Sequence, residues 1–195
     1  GMSKTKRVGH SGTLDPMATG VLPIFLGAAT KACNLLPDDS KCYEAAFALG
    51  KETDTLDCWG TIKKVREAHV RIEEIQAILP RFTGEIEQIP PMYSAVRING
   101  QRLYDIARQG KEVERPPRKV RITQLECTAF NEKDQTGVLA VSCSKGTYIR
   151  SIINDIGTAL GCGAVMTGLV RVKACGFTLN ECITLSEAQE LTEKG

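Results

Sequence analysis

Carboxylates are the groups in this chain best placed to carry chemistry, because the partners of other mechanisms are scarce. Only two histidines occur, His10 and His69, far apart, and any Ser-His-Asp or Cys-His arrangement would have to use one of them. The eight cysteines form no Cys-x-x-Cys pair, so no structural zinc site is indicated. Several sit in apolar surroundings, such as Cys143 and Cys175, where reduced, buried thiols are expected. No Gly-x-Gly-x-x-Gly or Gly-x-x-x-x-Gly-Lys-Ser/Thr pattern occurs, which removes dinucleotide and phosphate-loop chemistry. One carboxylate stands in a tight loop. Asp15 lies between Leu14 and Pro16-Met17, on backbone biased toward extended, so its ionised form needs a partner from elsewhere in the fold. Spacing alone favours a plainer role, in which Asp15 caps a short helix beginning at Pro16.

Two further positions bear on that loop. Arg150 closes the run Lys145-Gly-Thr-Tyr-Ile-Arg150, off the apolar stripe and near a helix N-terminus, where a cation opposes the helix dipole. It is therefore either a surface arginine or the partner of a carboxylate. Tyr43 heads the apolar face of a strand, where core packing is the default and a stacking platform the sharper alternative.

The elements that must hold these residues follow from punctuation and period. Residues 8–30 contain four glycines and two prolines and read as a structured loop with at most short helical turns. Alternation of Tyr43, Ala45, Phe47 and Leu49 predicts a strand over 42–49, followed by a polar turn at 54–60. Ile72, Ile75, Ile78 and Leu79 predict a helix that Pro80 ends. An extended segment from Ile89 closes at an Asn99-Gly100 turn, and a short helix from Leu103 stops at Gly110. Strands are expected over 120–129, 137–143 and 164–174. The strongest helix runs from Thr147 to about Leu160, with Ile149, Ile152, Ile153, Ile156 and Leu160 in helical register, and a last short helix spans 185–193. Because strands and helices do not alternate, an α+β fold with a mixed, mainly antiparallel sheet and flanking helices is expected.

Composition bounds the partners. With 195 residues, 42% hydrophobic and 25% charged, the chain suits one globular domain and excludes collagen, coiled-coil rod and disordered tail. No apolar run is long enough for a membrane span or a secretory h-region, so a cytoplasmic location is expected. The net charge is only +2, yet Arg97–Arg121 holds eight basic residues against three acidic ones, while 177–195 holds four glutamates against one lysine. Such a basic segment is either a solvated surface or a phosphate-binding face.

In these segments the chain resembles the TruB family of tRNA pseudouridine synthases. The resemblance lies in Gly9-His-Ser-Gly-Thr-Leu-Asp-Pro-Met-Ala-Thr-Gly-Val-Leu-Pro23, Lys41-Cys-Tyr-Glu44, Leu49-Gly-Lys-Glu-Thr-Asp-Thr-Leu-Asp57, Ile89-Pro-Pro-Met-Tyr-Ser-Ala95, Leu103-Tyr-Asp-Ile-Ala-Arg-Gln-Gly110, Gly146-Thr-Tyr-Ile-Arg150 and Leu169-Val-Arg-Val-Lys-Ala-Cys-Gly-Phe177, in family order. It implies the pseudouridine synthase fold and the conversion of uridine to its C-glycoside in the T-loop of tRNA, at position 55. It further implies Asp15 as the essential aspartate, Arg150 as its partner and Tyr43 against the target base. Tyr148 and Leu169 would help line the pocket, and His10 would contact the folded RNA loop. The basic segment would fall in an RNA-gripping insertion at about 89–115, with Arg108 and Lys111 among its contacts. No metal or organic cofactor is implied. The expected partner is the tRNA T-arm stem-loop, met by a monomer without a membrane or an obligatory protein partner. By the same resemblance, a strand before the Gly-His loop and a C-terminal PUA domain are expected to be absent from residues 1–195. Two alternatives stay open: a chain that grips and remodels tRNA without turnover, and an RNA-guided relative working inside a larger particle.

Overall fold

The structure is a computed structural model that describes residues 5–35 and 40–193. In chain order the strands are β1 (Val8–His10), β2 (Thr19–Gly20), β3 (Ile24–Leu26), β4 (Lys41–Leu49), β5 (Lys51–Thr53), β6 (Ile62–Val65), β7 (Gly84–Gln88), β8 (Arg97–Ile98), β9 (Gln101–Arg102), β10 (Arg118–Asn131), β11 (Thr136–Cys143), β12 (Ala164–Ala174) and β13 (Phe177–Thr178). The α-helices are α1 (Ile72–Ile78), α2 (Leu103–Arg108), α3 (Ile149–Ala159) and α4 (Leu185–Glu193).

The central sheet has the order β13-β12-β4-β11-β10-β7 and is antiparallel along that path. Among the described strands β2 alone joins it in parallel, beside β12, where Asp57 also makes an isolated parallel bridge to Met166. This is the mixed, mainly antiparallel sheet expected from sequence. Along β4 the residues predicted to share one face, Tyr43, Ala45, Phe47 and Leu49, are all buried, at 8% exposure or less. Helix α3 covers the sheet at β12 and α1 packs beside it. Ile149, Ile152, Ile153 and Ile156 are at most 4% exposed. Each such side chain contributes about 1.5–3 kcal/mol by leaving water, so this one stripe fixes α3 firmly to the sheet.

Three readings change. The 8–30 stretch is not wholly irregular: β1 and β3 pair antiparallel around the intervening Asp15 loop and β2, and a 3-10 helix follows at Gly27–Asn34. No helix begins at Pro16; Asp15 opens a turn in which its carbonyl accepts the Ala18 amide at 2.9 Å, and its side chain points elsewhere. The capping role therefore falls. Cys143 is buried as expected, but Cys175 is only half-buried, at a left-handed turn position with φ 55°.

Residues 89–115 leave the sheet. They carry the β8–β9 hairpin, turned by Asn99 and Gly100 at φ 50° and 82°, and helix α2. Met92, Leu103 and Ile106 form a small core of their own, with Tyr93, Val96, Ile98, Ala107 and Val113 packed around it.

Candidate active site

Arg150 sits in the first turn of α3 and its side chain is 6% exposed. Sequence left it as either a surface or a paired residue, and the fold buries it. Its Nε lies 2.9 Å from Asp15 Oδ2 and its Nη2 donates to Asp15 Oδ1 at 3.1 Å, a two-pronged contact. The same guanidinium donates to the carbonyls of Thr55 (2.8 Å) and Tyr93 (2.9 Å), and Nη1 is 3.6 Å from Asp57 Oδ2. One buried cation thus gathers the 8–30 loop, the 54–60 turn and the start of the insertion. Burying a charge is costly unless it is paired and hydrogen-bonded, and here carboxylates and carbonyls meet that need. Asp15 keeps 36% of its side chain exposed, against 15% for Asp57. The exposed member of this trio is the one that can meet a substrate.

The backbone that aims Arg150 is braced by Gln88, 3% exposed at the end of β7. The Tyr148 amide donates to Gln88 Oε1 at 2.8 Å, and Gln88 Nε2 donates to the Tyr148 carbonyl at 3.0 Å. Tyr148 is consequently fixed at the N-cap of α3.

The loop bearing Asp15 is tied down by a second buried arginine. Arg171 has no exposed surface; its Nε donates to the Val21 carbonyl at 2.7 Å and its Nη2 to the Gly12 carbonyl at 3.3 Å, so both flanks of Asp15 hang on one side chain. Gly20, at φ 105°, lets β2 lie against β12, because a Cβ there would strike the Arg171 carbonyl. Tyr43 is the direct cross-strand neighbour of Arg171. Burial pushes its hydroxyl pKa above the ordinary tyrosine value, opposed by the Arg171 guanidinium beside it and assisted by Asp15, so the phenol stays protonated near neutral pH.

The remaining predicted residues are placed as follows. Leu169 is 8% exposed and belongs to the main core, opposite Ala45. His10 is exposed on β1, with no hydrogen bond to the Asp15–Arg150 pair among the described residues. The Arg108 and Arg102 guanidinium groups lie 5.4 and 5.6 Å from the centre of the Tyr104 ring, and Arg102 also donates to the Tyr104 hydroxyl at 2.6 Å. Lys111 lines a cleft of about 380 Å³ between the insertion and the β5–β6 hairpin, together with Lys63, Tyr93 and Arg115. Among the described residues no group of three His, Cys, Asp or Glu side chains could hold a metal ion. No described helix is long and apolar enough to cross a membrane.

Sequence reading missed three contributors. Asp57 and Arg171 lie within quoted motifs but carried no signal of their own, since what recommends them is a contact across the fold. Gln88 precedes Ile89-Pro-Pro and could be found only from its bonds to residues sixty positions away.

The overall fold, with its mixed sheet, is shared with solved structures. The matching chain in the crystal structure of a Cbf5–Nop10–Gar1 complex superposes with a TM-score of 0.72 at 30% identity, covering 97% of this chain and 47% of that one. A chain from an H/ACA RNP bound to a substrate RNA containing 2′-deoxyuridine gives 0.69 at 27% identity, covering 97% and 45%. In sequence, the TruB family pseudouridylate synthase N-terminal domain matches residues 1–149, and the tRNA pseudouridylate synthase B C-terminal domain matches 150–194. The chain belongs to the TruB family. It is 50% identical over 190 residues to tRNA pseudouridine synthase B of Pseudomonas fluorescens and 48% identical over 197 residues to that of Bacillus pumilus. It spans 97% and 98% of its own length in these matches but only 62% and 63% of theirs.

Proposed function

We propose that this chain isomerises uridine to pseudouridine in tRNA, at the T-loop uridine of position 55, acting in the cytoplasm as a monomer without a protein partner, metal or organic cofactor. The observation that carries the reading is Asp15: a loop carboxylate one-third exposed, oriented by a buried arginine at 2.9 and 3.1 Å and close enough to the buried Tyr43 of β4 to act on its hydroxyl electrostatically. A uridine stacked in a folded loop is out of reach, so it must be flipped outward, at a cost of a few kcal/mol. Asp15 then acts on the flipped nucleotide as nucleophile or base. The N1–C1′ bond breaks, the uracil turns, C5 bonds to C1′, and the proton lost from C5 is balanced by one gained at N1. Tyr43, held protonated, packs on the base, with Tyr148 and Leu169 bounding the pocket. His10 meets the loop that the base has left. The 89–115 insertion closes on the arm from outside, with Arg108 and Lys111 against phosphates.

Asp15→Asn keeps size and shape and removes the charge. With a T-arm stem-loop carrying 5-tritiated uridine, tritium release is expected to fall to background while RNA binding persists. Turnover retained in Asp15→Asn would refute the catalytic assignment, and a wild-type chain that binds without releasing tritium would leave the binding-only alternative.

A further inference from the structure

The β5–β6 hairpin carries features that the isomerisation does not use. Its turn holds Trp59, the only tryptophan of the chain, 48% exposed. A single exposed apolar residue is ordinary. The setting is not, because the turn is cross-braced by hydrogen bonds and built around Asp57, whose second oxygen faces the Arg150 guanidinium. Asp57 Oδ1 accepts the Thr55 hydroxyl at 2.6 Å and the Trp59 amide at 3.2 Å, while Asp57 Oδ2 faces Arg150. Cys58 donates its amide to Met166 at 2.9 Å, Thr61 donates its own to Asp54 Oδ1 at 2.8 Å, and Leu56 is held at φ 64°. Gly60 completes the turn, since a Cβ there would strike Thr55 and Asp54. An indole in solvent is thus mounted on a fixed support two residues from the group that touches Arg150.

Charge on the hairpin is one-sided. Its three acidic residues are engaged inward, Glu52 with Arg66, Asp54 with Thr61 and Asp57 with Thr55, Trp59 and Arg150. Lys51, Lys63 and Lys64 are exposed, with no ion pair among the described residues. Lys63 also lines the cleft that the hairpin shares with Lys111 and Arg115 of the insertion. An exposed aromatic ring on a hydrogen-bonded turn, with exposed lysines on the same hairpin, is the combination that holds single-stranded nucleic acid, the ring by stacking and the cations by following the backbone.

We propose that Trp59 is a nucleobase-stacking site outside the catalytic pocket, taking an unpaired nucleotide of the substrate RNA while Lys63 and Lys64 meet its phosphates. The inference rests on tRNA as substrate. It gives the chain a second grip on the RNA, opposite the insertion, coupled to the reacting carboxylate through Asp57.

Because Trp59 is the sole tryptophan, its emission reports this one position. Wild-type chain is titrated with a T-arm stem-loop bearing a fluorescent end label, following indole emission and label anisotropy together. Indole quenching is expected to saturate with the anisotropy, and a blunt RNA duplex of equal length is expected to change anisotropy without quenching. Trp59→Ala should weaken stem-loop affinity about tenfold and Trp59→Phe by less than about threefold, with unfolding temperatures unchanged. Anisotropy that rises while indole emission stays constant, with Trp59→Ala binding like wild type, overturns the stacking site and leaves the tRNA reading intact. Failure of wild type to bind the stem-loop overturns both.

Discussion

At the centre of the molecule Arg150 and Arg171 are 5% and 0% exposed, and between them they donate to the carbonyls of Gly12, Val21, Thr55 and Tyr93 as well as to Asp15. In the 89–115 insertion Arg102 and Arg108 are exposed, stacked over Tyr104, and Lys111 faces an open cleft. The same charge serves opposite ends. A buried guanidinium has no water to fall back on, so it holds whatever backbone satisfies it, and three separate loops are located by two side chains. An exposed one gives up little when it moves from water to phosphate, so it can grip a partner without organising the protein around it. The two regions also differ in support, since the centre stands on a core that runs across β4, β10, β11 and β12 while the insertion has a separate cluster of three buried side chains, Met92, Leu103 and Ile106.

Removing Arg171 should separate positioning from binding most sharply. Arg171→Ala frees both flanks of the Asp15 loop and leaves the buried Val21 carbonyl and the part-buried Gly12 carbonyl without their donor, so turnover is expected to drop about 100-fold or more with RNA affinity little changed; Arg171→Lys, keeping the charge but not the forked guanidinium, should recover part of it. Equal losses in turnover and affinity would erase the contrast between the two regions. Leu103→Ala attacks the insertion's own core. It should cost about 2–5 kcal/mol locally, seen as faster hydrogen exchange over 89–115 and weaker RNA binding, while the main thermal transition barely shifts. Neutralising Arg108 and Lys111 together should flatten the salt dependence of binding by about 1.5 in log–log slope, and an unchanged slope would return them to solvated surface. The smallest effect concerns thiols. Burial pushes Cys143 up to about 11, whereas Cys58 and Cys182 are exposed; since only the thiolate reacts, alkylation near pH 8 should mark the latter two well before Cys143, whose labelling should accelerate only toward pH 11.

Periodicity made β4, β12 and α3 readable, because each presents a continuous apolar face to one core. The β5–β6 hairpin escaped notice for the converse reason: Ile62, Lys63, Lys64 and Val65 are all exposed, so no alternation marks them. β7 offers the single apolar residue Ile86 among glutamates and, among the described strands, pairs only with β10, as an edge strand does. In β12 the register shifts on either side of Gly168 and Arg171 break the pairing with β4, and Arg171 passes for a polar outward position although it is fully buried. Asp-Pro also misled at the site itself. The pair is a good helix start, but the turn at Asp15 is never extended into a helix, and Arg150 takes the carboxylate instead.

The sequence by itself determined the elements whose stability is local or periodic: the apolar stripes, the Asn99-Gly100 turn, the breaks at Pro80 and Gly110, and the motif order that marks the TruB family. It also singled out Asp15, Tyr43 and Arg150 as residues of interest. Which of their possible states is occupied was decided only in three dimensions. Whether a charge is a cap, a surface group or half of a buried pair depends on what lies within about 3 Å of it, and for Arg150 and Asp15 those neighbours come from residues 135 positions apart. No local pattern encodes such a distance, and packing α3 against the sheet supplies it.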